Sequence, residues 1–261
     1  MHYQHLILVC ALALPFTWLT VRMRVLTLGG ALLAAVIALC VVGSQGWLML
    51  LPLFLFLGSG VLLGRLNKRA RTDAKHGRPR DAMQVFCSGG IYALLAVYDD
   101  FHVHWWMSIS ICTAMCDTWA SEIGMYVRWP TVSILTWKRV EPGLSGGISL
   151  PGTLGGFAGS MILASATYLF ALYPADHHGW LITIVSFAGI FLASLIISAF
   201  AMGGMLLDSV LGAVLQVKYD DGEGPRDAGT HRIAGLHWMT NDVVNLVSNA
   251  LTVAVAWWVL G

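Results

Sequence analysis

All 15 lysines and arginines of this 261-residue chain fall in four places: Arg22 and Arg24, then the stretches 65–80, 128–139 and 218–232. Between and around them lie eight apolar runs, at about 5–20, 25–43, 46–64, 82–98, 104–125, 153–173, 180–207 and 239–260. Each approaches the ~20 residues a helix needs to cross a hydrocarbon core. The four basic stretches occupy every second connection, while "GSQG", "DDFHVH" and "YPADHHG" carry no Lys or Arg. Basic loops stay on the cytoplasmic side. The pattern therefore predicts an all-α, polytopic integral membrane protein with about eight transmembrane helices and both termini outside. A separate ninth span at 201–216 would put Lys218, Arg226 and Arg232 outside, so that stretch is read as the inner end of the seventh.

Composition excludes a soluble domain: 57% of residues are hydrophobic and 11% charged, against about 25% charged in soluble domains. The runs are too long for the alternating strands of a membrane barrel. One transmembrane domain, 1–261, is expected, with cytoplasmic loops at 65–81, 127–152 and 208–238, in a bacterial-type inner or plasma membrane. The first run lacks the basic start and cleavage site of a signal peptide and is read as a retained helix. The cysteines, 10, 40, 87, 112 and 116, all lie in spans without a CxxC, so neither a disulfide framework nor a zinc site is expected. No nucleic-acid partner is expected, and the oligomeric state is left open.

Acids interrupt the oil. "AMCDTWASEIG" places Asp117 and Glu122, flanked by Thr118 and Ser121, inside the fifth run. Asp81 with Gln84, Asp208 with Gln216, and Asn241, Asp242 and Asn245 lie in or at the ends of other runs. A charge at a helix centre costs roughly 2.5–3.5 kcal/mol on insertion scales and is functional by default. With the expected topology, all five acids meet at the cytoplasmic boundary. Bland readings compete: Asp81 as a helix cap, Asp242 as a first-turn acid, Glu122 as a boundary residue reaching water, and the glycines near Asp208 as packing residues. Asp117, deep in its helix, has no capping role. Clustered carboxylates need neutralising, and an oxygen donor set of Asp117, Asp208, Asn241 and Asp242 suits Mg²⁺ better than zinc or copper.

The loop "KRVEPGLSGGISLPGTLGG" follows that helix. Glycines 143, 146, 147, 152, 155 and 156 allow close backbone approach, and its N–H groups can form an anion-binding concavity. Lys138 adds a cation suited to phosphate. No Walker or Rossmann motif occurs. Beside the acids, the loop predicts a nucleotide or polyphosphate site. The later loop "KYDDGEGPRDAGTHRIAG" is read as polar and mobile.

"DTWASEIG" (117–124), "KRVEPGLSGGIS" (138–149) followed by Gly152–Thr153, "LLDSVLGAVLQ" (206–216) and "NDVVN" (241–245) resemble the membrane family of plant phytyl-phosphate kinase, from about residue 25 to the C-terminus. The resemblance implies a kinase that converts an isoprenyl monophosphate to the diphosphate with a nucleoside triphosphate. A distant likeness to dolichol and phytol kinases favours CTP as donor. Ser88 and Leu144 depart from the family's usual Asn and Thr. On this reading Asp117, Glu122, Lys138 and Asp208 are the catalytic candidates. Lys138, Gly143, Ser145, Gly146, Gly147 and Ser149 would bind nucleotide. Arg78, Arg80, Gln84, Ser88, Ser121 and Asn245 would bind the lipid phosphate, and Asp117, Asp208, Asn241 and Asp242 would hold Mg²⁺. The alternatives are an isoprenoid-alcohol kinase using Glu122 as base, a cytidylyltransferase forming a CDP-lipid, and an ion-coupled transporter.

Overall fold

Lipid offers no partner to a peptide N–H or C=O, so an apolar run of this length satisfies its backbone internally as a helix. The computed structural model describes residues 2–67, 79–98, 100, 102–127, 129–172, 180–220, 222, 225–227 and 229–261. Among them are eight α-helices: α1 His2–Arg22, α2 Leu28–Gln45, α3 Leu51–Leu66, α4 Ala82–Ala96, α5 Val103–Tyr126, α6 Leu150–Leu172, α7 Trp180–Val214 and α8 Asn241–Leu260. A 3₁₀ turn, Trp47–Leu50, leads into α3. Two short antiparallel ribbons lie in the connections: β1 Val132–Ser133 with β2 Gly147–Ile148, and β3 Lys218–Tyr219 with β4 Arg232–Ala234.

The architecture is that of an integral membrane protein, with one refinement of the expected eight spans. Among the described residues, four helices are by themselves long and apolar enough to cross a membrane: Leu28–Gln45, Trp47–Leu66, Phe187–Val214 and Asn241–Leu260. Helix α5 falls short because it is the centre of the bundle: Ser108, Ser110 and Thr113 are buried along with Trp106, Met107 and Ile109. A helix wrapped by other helices does not need an apolar surface. The outward positions elsewhere are the oily ones, with Leu14, Phe187 and Trp258 among the most exposed side chains.

Helix α7 runs unbroken for 35 residues, roughly 50 Å against a hydrocarbon core of about 30 Å. The stretch 201–214 is thus part of the seventh helix, and the loop expected from 208 begins only after Val214. Helix α6 begins at Leu150, inside the loop expected to reach 152. Ser149 starts it, its Oγ accepting from Gly152 N at 3.3 Å.

Glycines set the tightest helix contact. A Cβ on Gly156 would lie 2.5 Å from Cys116 O, one on Gly152 would lie 2.7 Å from Ala120 O, and one on Gly155 would lie 2.5 Å from Ile123 Cδ1. Spaced along one face of α6, they let its backbone touch α5 in the manner of small-residue membrane contacts. Of the loop glycines in the sequence reading, Gly152, Gly155 and Gly156 lie inside α6 and pack it against α5, and Gly152 also lines a cavity. Polar bonds complete the bundle. Asn249 on α8 donates to Ser110 O at 3.1 Å, Trp119 Nε1 donates to Ser59 Oγ at 3.1 Å, and Tyr92 OH donates to Met49 O at 2.8 Å.

Asp81 takes the capping role. Its side chain accepts from Gln84 N at 3.0 Å, and Gln84 Oε1 accepts from Asp81 N at 3.2 Å. Asp81→Ala is expected to cost about 0.5–2 kcal/mol of stability, the scale of a lost N-cap, read as a lower melting temperature in detergent.

Candidate functional site

The C-terminal ends of α1, α3, α5 and α7 and the N-terminal ends of α4, α6 and α8 meet around one cavity of about 920 Å³. Every Lys and Arg of the chain lies in the four connections at these ends or in the last turn of a helix leading into one. From α5 come Asp117, Thr118, Ser121 and Glu122; from α7, Asp208 and Ser209; from α8, Asn241, Asp242 and Asn245. The start of α4 contributes Arg80, Gln84 and Ser88. The loop before α6 contributes Gly143, Ser145, Gly146, Gly147 and Ser149. Nearly the whole predicted constellation therefore shares one hollow, though its members are as far as 165 positions apart, from Arg80 to Asn245.

One described residue of the prediction is not brought there. Lys138 is exposed and does not line the cavity. The bridge Val132↔Arg139 and the β1–β2 ribbon place it at the outer turn, next to Trp137 with a left-handed φ of 57°. Only the other strand of that hairpin faces inward. Arg78 lies outside the described residues.

Local packing positions each wall. Asp208 Oδ1 accepts from Ser248 Oγ at 3.0 Å. With its amide nitrogen turned inward, Asn245 donates to Asp208 Oδ1 at 2.8 Å and to Asn241 O at 3.1 Å. These bonds lock the acid of α7 to the first turns of α8. Thr240 caps α8, accepting from Val243 N at 3.4 Å, so Asp242 is not needed as a cap. Glu122 fits because α3 has Gly64 opposite it, where a Cβ would stand 3.4 Å from Glu122 Oε1. The buried Asn67 donates to Glu122 O at 3.2 Å and to its Oε2 at 3.4 Å.

The glycine loop is seated on α7. Ser145 Oγ donates to Gln216 Oε1 at 2.8 Å, and Ser145 N donates to Asp227 Oδ2 at 3.1 Å. Gly143 and Gly146 have φ of 93° and 87°. A side chain on Gly146 would strike Ala213, and one on Gly212 would strike Ser145 Oγ. Gln84 divides its side chain between the α4 cap and the cavity wall.

Arg80 is a fixed cation of the cavity lining. Its guanidinium lies 5.3 Å over the Phe56 ring and against Gly60, where a Cβ would come within 3.0 Å of Nη2. Enclosure lowers its pKa from the usual guanidinium value, and the charge of Glu122 opposes that shift. The group stays protonated.

Sequence reasoning missed Arg24, Asn67 and Asp227. Asn67 follows α3 in a basic stretch read as a loop, and Asp227 sits in the polar stretch read as mobile. There Tyr219 N donates to Arg226 O at 2.8 Å, Arg226 N returns the bond at 2.8 Å, and Asp227 reaches the glycine loop. No local pattern singles out any of the three.

Among the described residues, no three of His, Cys, Asp or Glu stand close enough to hold a metal unaided. Asp117 and Asp208 do share a small recess below the main cavity, beside Asn245 and Ser248. Two carboxylates among neutral oxygen donors match the way Mg²⁺ is held jointly with substrate phosphates, and not a closed protein cage.

The chain matches the model of a family described as integral membrane protein DUF92 over residues 11–253. It is similar to the uncharacterized membrane protein sll0875 of Synechocystis, 32% identical over 237 residues, which is 87% of this chain and 79% of that protein. It is also similar to two proteins of Arabidopsis thaliana. Protein PGR is 28% identical over 218 residues, 71% of this chain and 72% of that protein. Protein VTE6, chloroplastic, is 28% identical over 225 residues, 82% of this chain and 58% of that protein. No solved structure matches.

Proposed function

This chain belongs to the DUF92 family of integral membrane proteins, and we propose that it is a lipid phosphotransferase. In this reading it moves the terminal phosphate of a nucleoside triphosphate, CTP by preference, onto an isoprenyl monophosphate. The observation that carries the proposal is the gathering of acids, arginines and a glycine-rich loop around one cavity. Acids from α5, α7 and α8, the arginines Arg24, Arg65 and Arg80, and a glycine loop all line it. The resemblance of these motifs to the phytyl-phosphate kinase family supports the same chemistry. So does the position at helix ends, where a greasy tail can stay in lipid while its head reaches a polar site. We place the cavity on the cytoplasmic face because the connections at that end hold all the basic residues.

Phosphoryl transfer requires positioning and charge neutralisation more than covalent work by the protein. An oxygen of the acceptor monophosphate, already anionic, attacks the donor's γ-phosphorus. The bond from the γ-phosphorus to the β–γ bridging oxygen breaks, and a nucleoside diphosphate leaves. No base is needed. Arg80 holds the acceptor's charge near the attacking oxygen. The backbone of 143–147 cradles the donor, seated on α7 by Ser145 and Gln216. Asp117, Asp208, Asn241 and Asp242 are the residues that would hold Mg²⁺, which supplies neutralisation of the β- and γ-phosphates when bound. Lys138 has no part in this reading.

The loop seat gives a specific expectation. Gly212→Ala puts a methyl on Ser145 Oγ and should raise the nucleotide KM by about 10- to 100-fold, the scale of a ~1 Å misplacement. The acceptor KM should stay near its original value. The reaction itself is tested by incubating purified protein with Mg²⁺, a panel of nucleotides and prenyl monophosphates, and weighing both products. A nucleoside diphosphate with a prenyl diphosphate is expected. Pyrophosphate with a CDP-lipid would make it a cytidylyltransferase, and transfer to the free alcohol alone would make it an alcohol kinase.

A further inference from the structure

We infer that Arg24, in the turn between α1 and α2, binds the phosphomonoester head of the acceptor and with Arg80 selects a phosphorylated lipid over an alcohol; this rests on the kinase reading above. Three arginines are gathered by that turn. Arg80 N donates to Val25 O at 3.0 Å and Thr27 N donates to Arg80 O at 3.0 Å. Arg65 Nη2 donates to Met23 O at 3.3 Å. Arg24, Arg65 and Arg80 all line the cavity. The turn thus ties together three arginines of a cavity that Asp117, Asp208 and Asp242 also line.

The backbone at Arg24 is a second, independent observation. Val25 N donates to Thr20 O at 2.9 Å and Arg24 N donates to Val21 O at 3.0 Å. That pair of bonds is the Schellman ending of a helix, with Arg24 at the C′ position that glycine ordinarily fills. Its φ is 53°. A long side chain in the left-handed region is disfavoured relative to glycine, and such residues cluster where a side chain is needed for function. Here the left-handed turn delivers a guanidinium to the cavity rim. Neither the Arg24 nor the Arg80 guanidinium has a hydrogen-bond partner among the described residues. Two cations lining one cavity, Arg80 enclosed and Arg24 exposed, match a dianionic monoester. A planar guanidinium binds such a head in bidentate fashion. An alcohol offers neither guanidinium an anion.

Phosphate could also come from bilayer headgroups, so the test is run in phospholipid-free non-ionic detergent and again in anionic nanodiscs. The probes are a C20 prenyl monophosphate, the C20 alcohol and the nucleotide, with binding measured directly and transfer kinetics alongside. Arg24→Gln should raise the Kd and KM for the monophosphate about tenfold or more in detergent. Nucleotide KM and alcohol binding should change less than twofold, and Arg24→Lys should recover part of the loss. Arg24→Gly, which suits the left-handed turn, should melt at the same or higher temperature yet bind the monophosphate as poorly as Arg24→Gln. Three results would overturn the inference: unchanged monophosphate binding, an equal loss for alcohol or nucleotide, or an effect confined to anionic nanodiscs. If the wild type binds the monophosphate through Arg24 but transfers no phosphate, the kinase reading fails and the binding site stands.

Discussion

Replacing Asp117 with asparagine is expected to lower turnover by about 10³-fold or more while leaving the helix bundle intact. Asp117 is the first α5 residue to line the cavity, and it shares the recess with Asp208. Removing a group that offsets charge in a phosphoryl-transfer or oxyanion transition state costs 10²- to 10⁵-fold. Asparagine keeps the shape and loses the charge, so the melting temperature in detergent should hold steady or rise, because one of several mutually repelling acids is gone. The loss should appear in kcat, with acceptor KM little changed, since the arginine wall is untouched. Asp208→Asn should behave similarly but with some loss of stability, because Asp208 also accepts from Ser248 at 3.0 Å. Wild-type turnover in the purified Asp117→Asn protein would remove the acidic pole from the mechanism.

Gly156→Leu should do the opposite, damaging the fold before the chemistry. A single Cβ at this position already meets Cys116 O at 2.5 Å and Ala120 Cβ at 3.0 Å, and a leucine must push α6 off α5. Overpacking of a tight contact costs about 1–3 kcal/mol per site, and here backbone meets backbone with no side chain able to yield. Lower yield of folded protein and a melting temperature well below that of the wild type are expected. Activity should fall as well, because Asp117 is one helical position from Cys116. Gly203→Leu is the control, since nothing stands within 4 Å of a Cβ there, and it should change melting little.

The pattern of basic residues made the fold legible because lipid penalises charge so heavily that the placement of 15 side chains orders the whole chain. The runs expected at 82–98, 104–125 and 239–260 correspond to helices 82–96, 103–126 and 241–260. The acids of the site were legible for the same reason, being misplaced in oil. The glycines were not, because one residue type serves two ends. Gly143 and Gly146 turn a loop through positive φ, whereas Gly152, Gly155 and Gly156 make room for a neighbouring helix, and nothing local separates the two uses. Lys138 misled because the pairing of Val132 with Arg139 holds it at an outer turn, and that pairing is a property of the fold. Arg24 was hidden more deeply: its left-handed turn occurs where a sequence reader expects glycine, and its partner Arg80 lies 56 positions away, across the bridge Leu26↔Arg80.

The central claim, that one end cavity holds donor and acceptor together, is tested most directly by an experimental structure. Purified protein would be imaged with Mg²⁺, a non-hydrolysable CTP analogue and a C20 prenyl monophosphate. The account predicts the triphosphate along residues 143–147 and facing Asp117 and Asp208, with the monoester on Arg80 and Arg24 and its tail leaving between helices. Both ligands bound outside the cavity, or a triphosphate resting on the arginines while the acids stay unliganded, would contradict it.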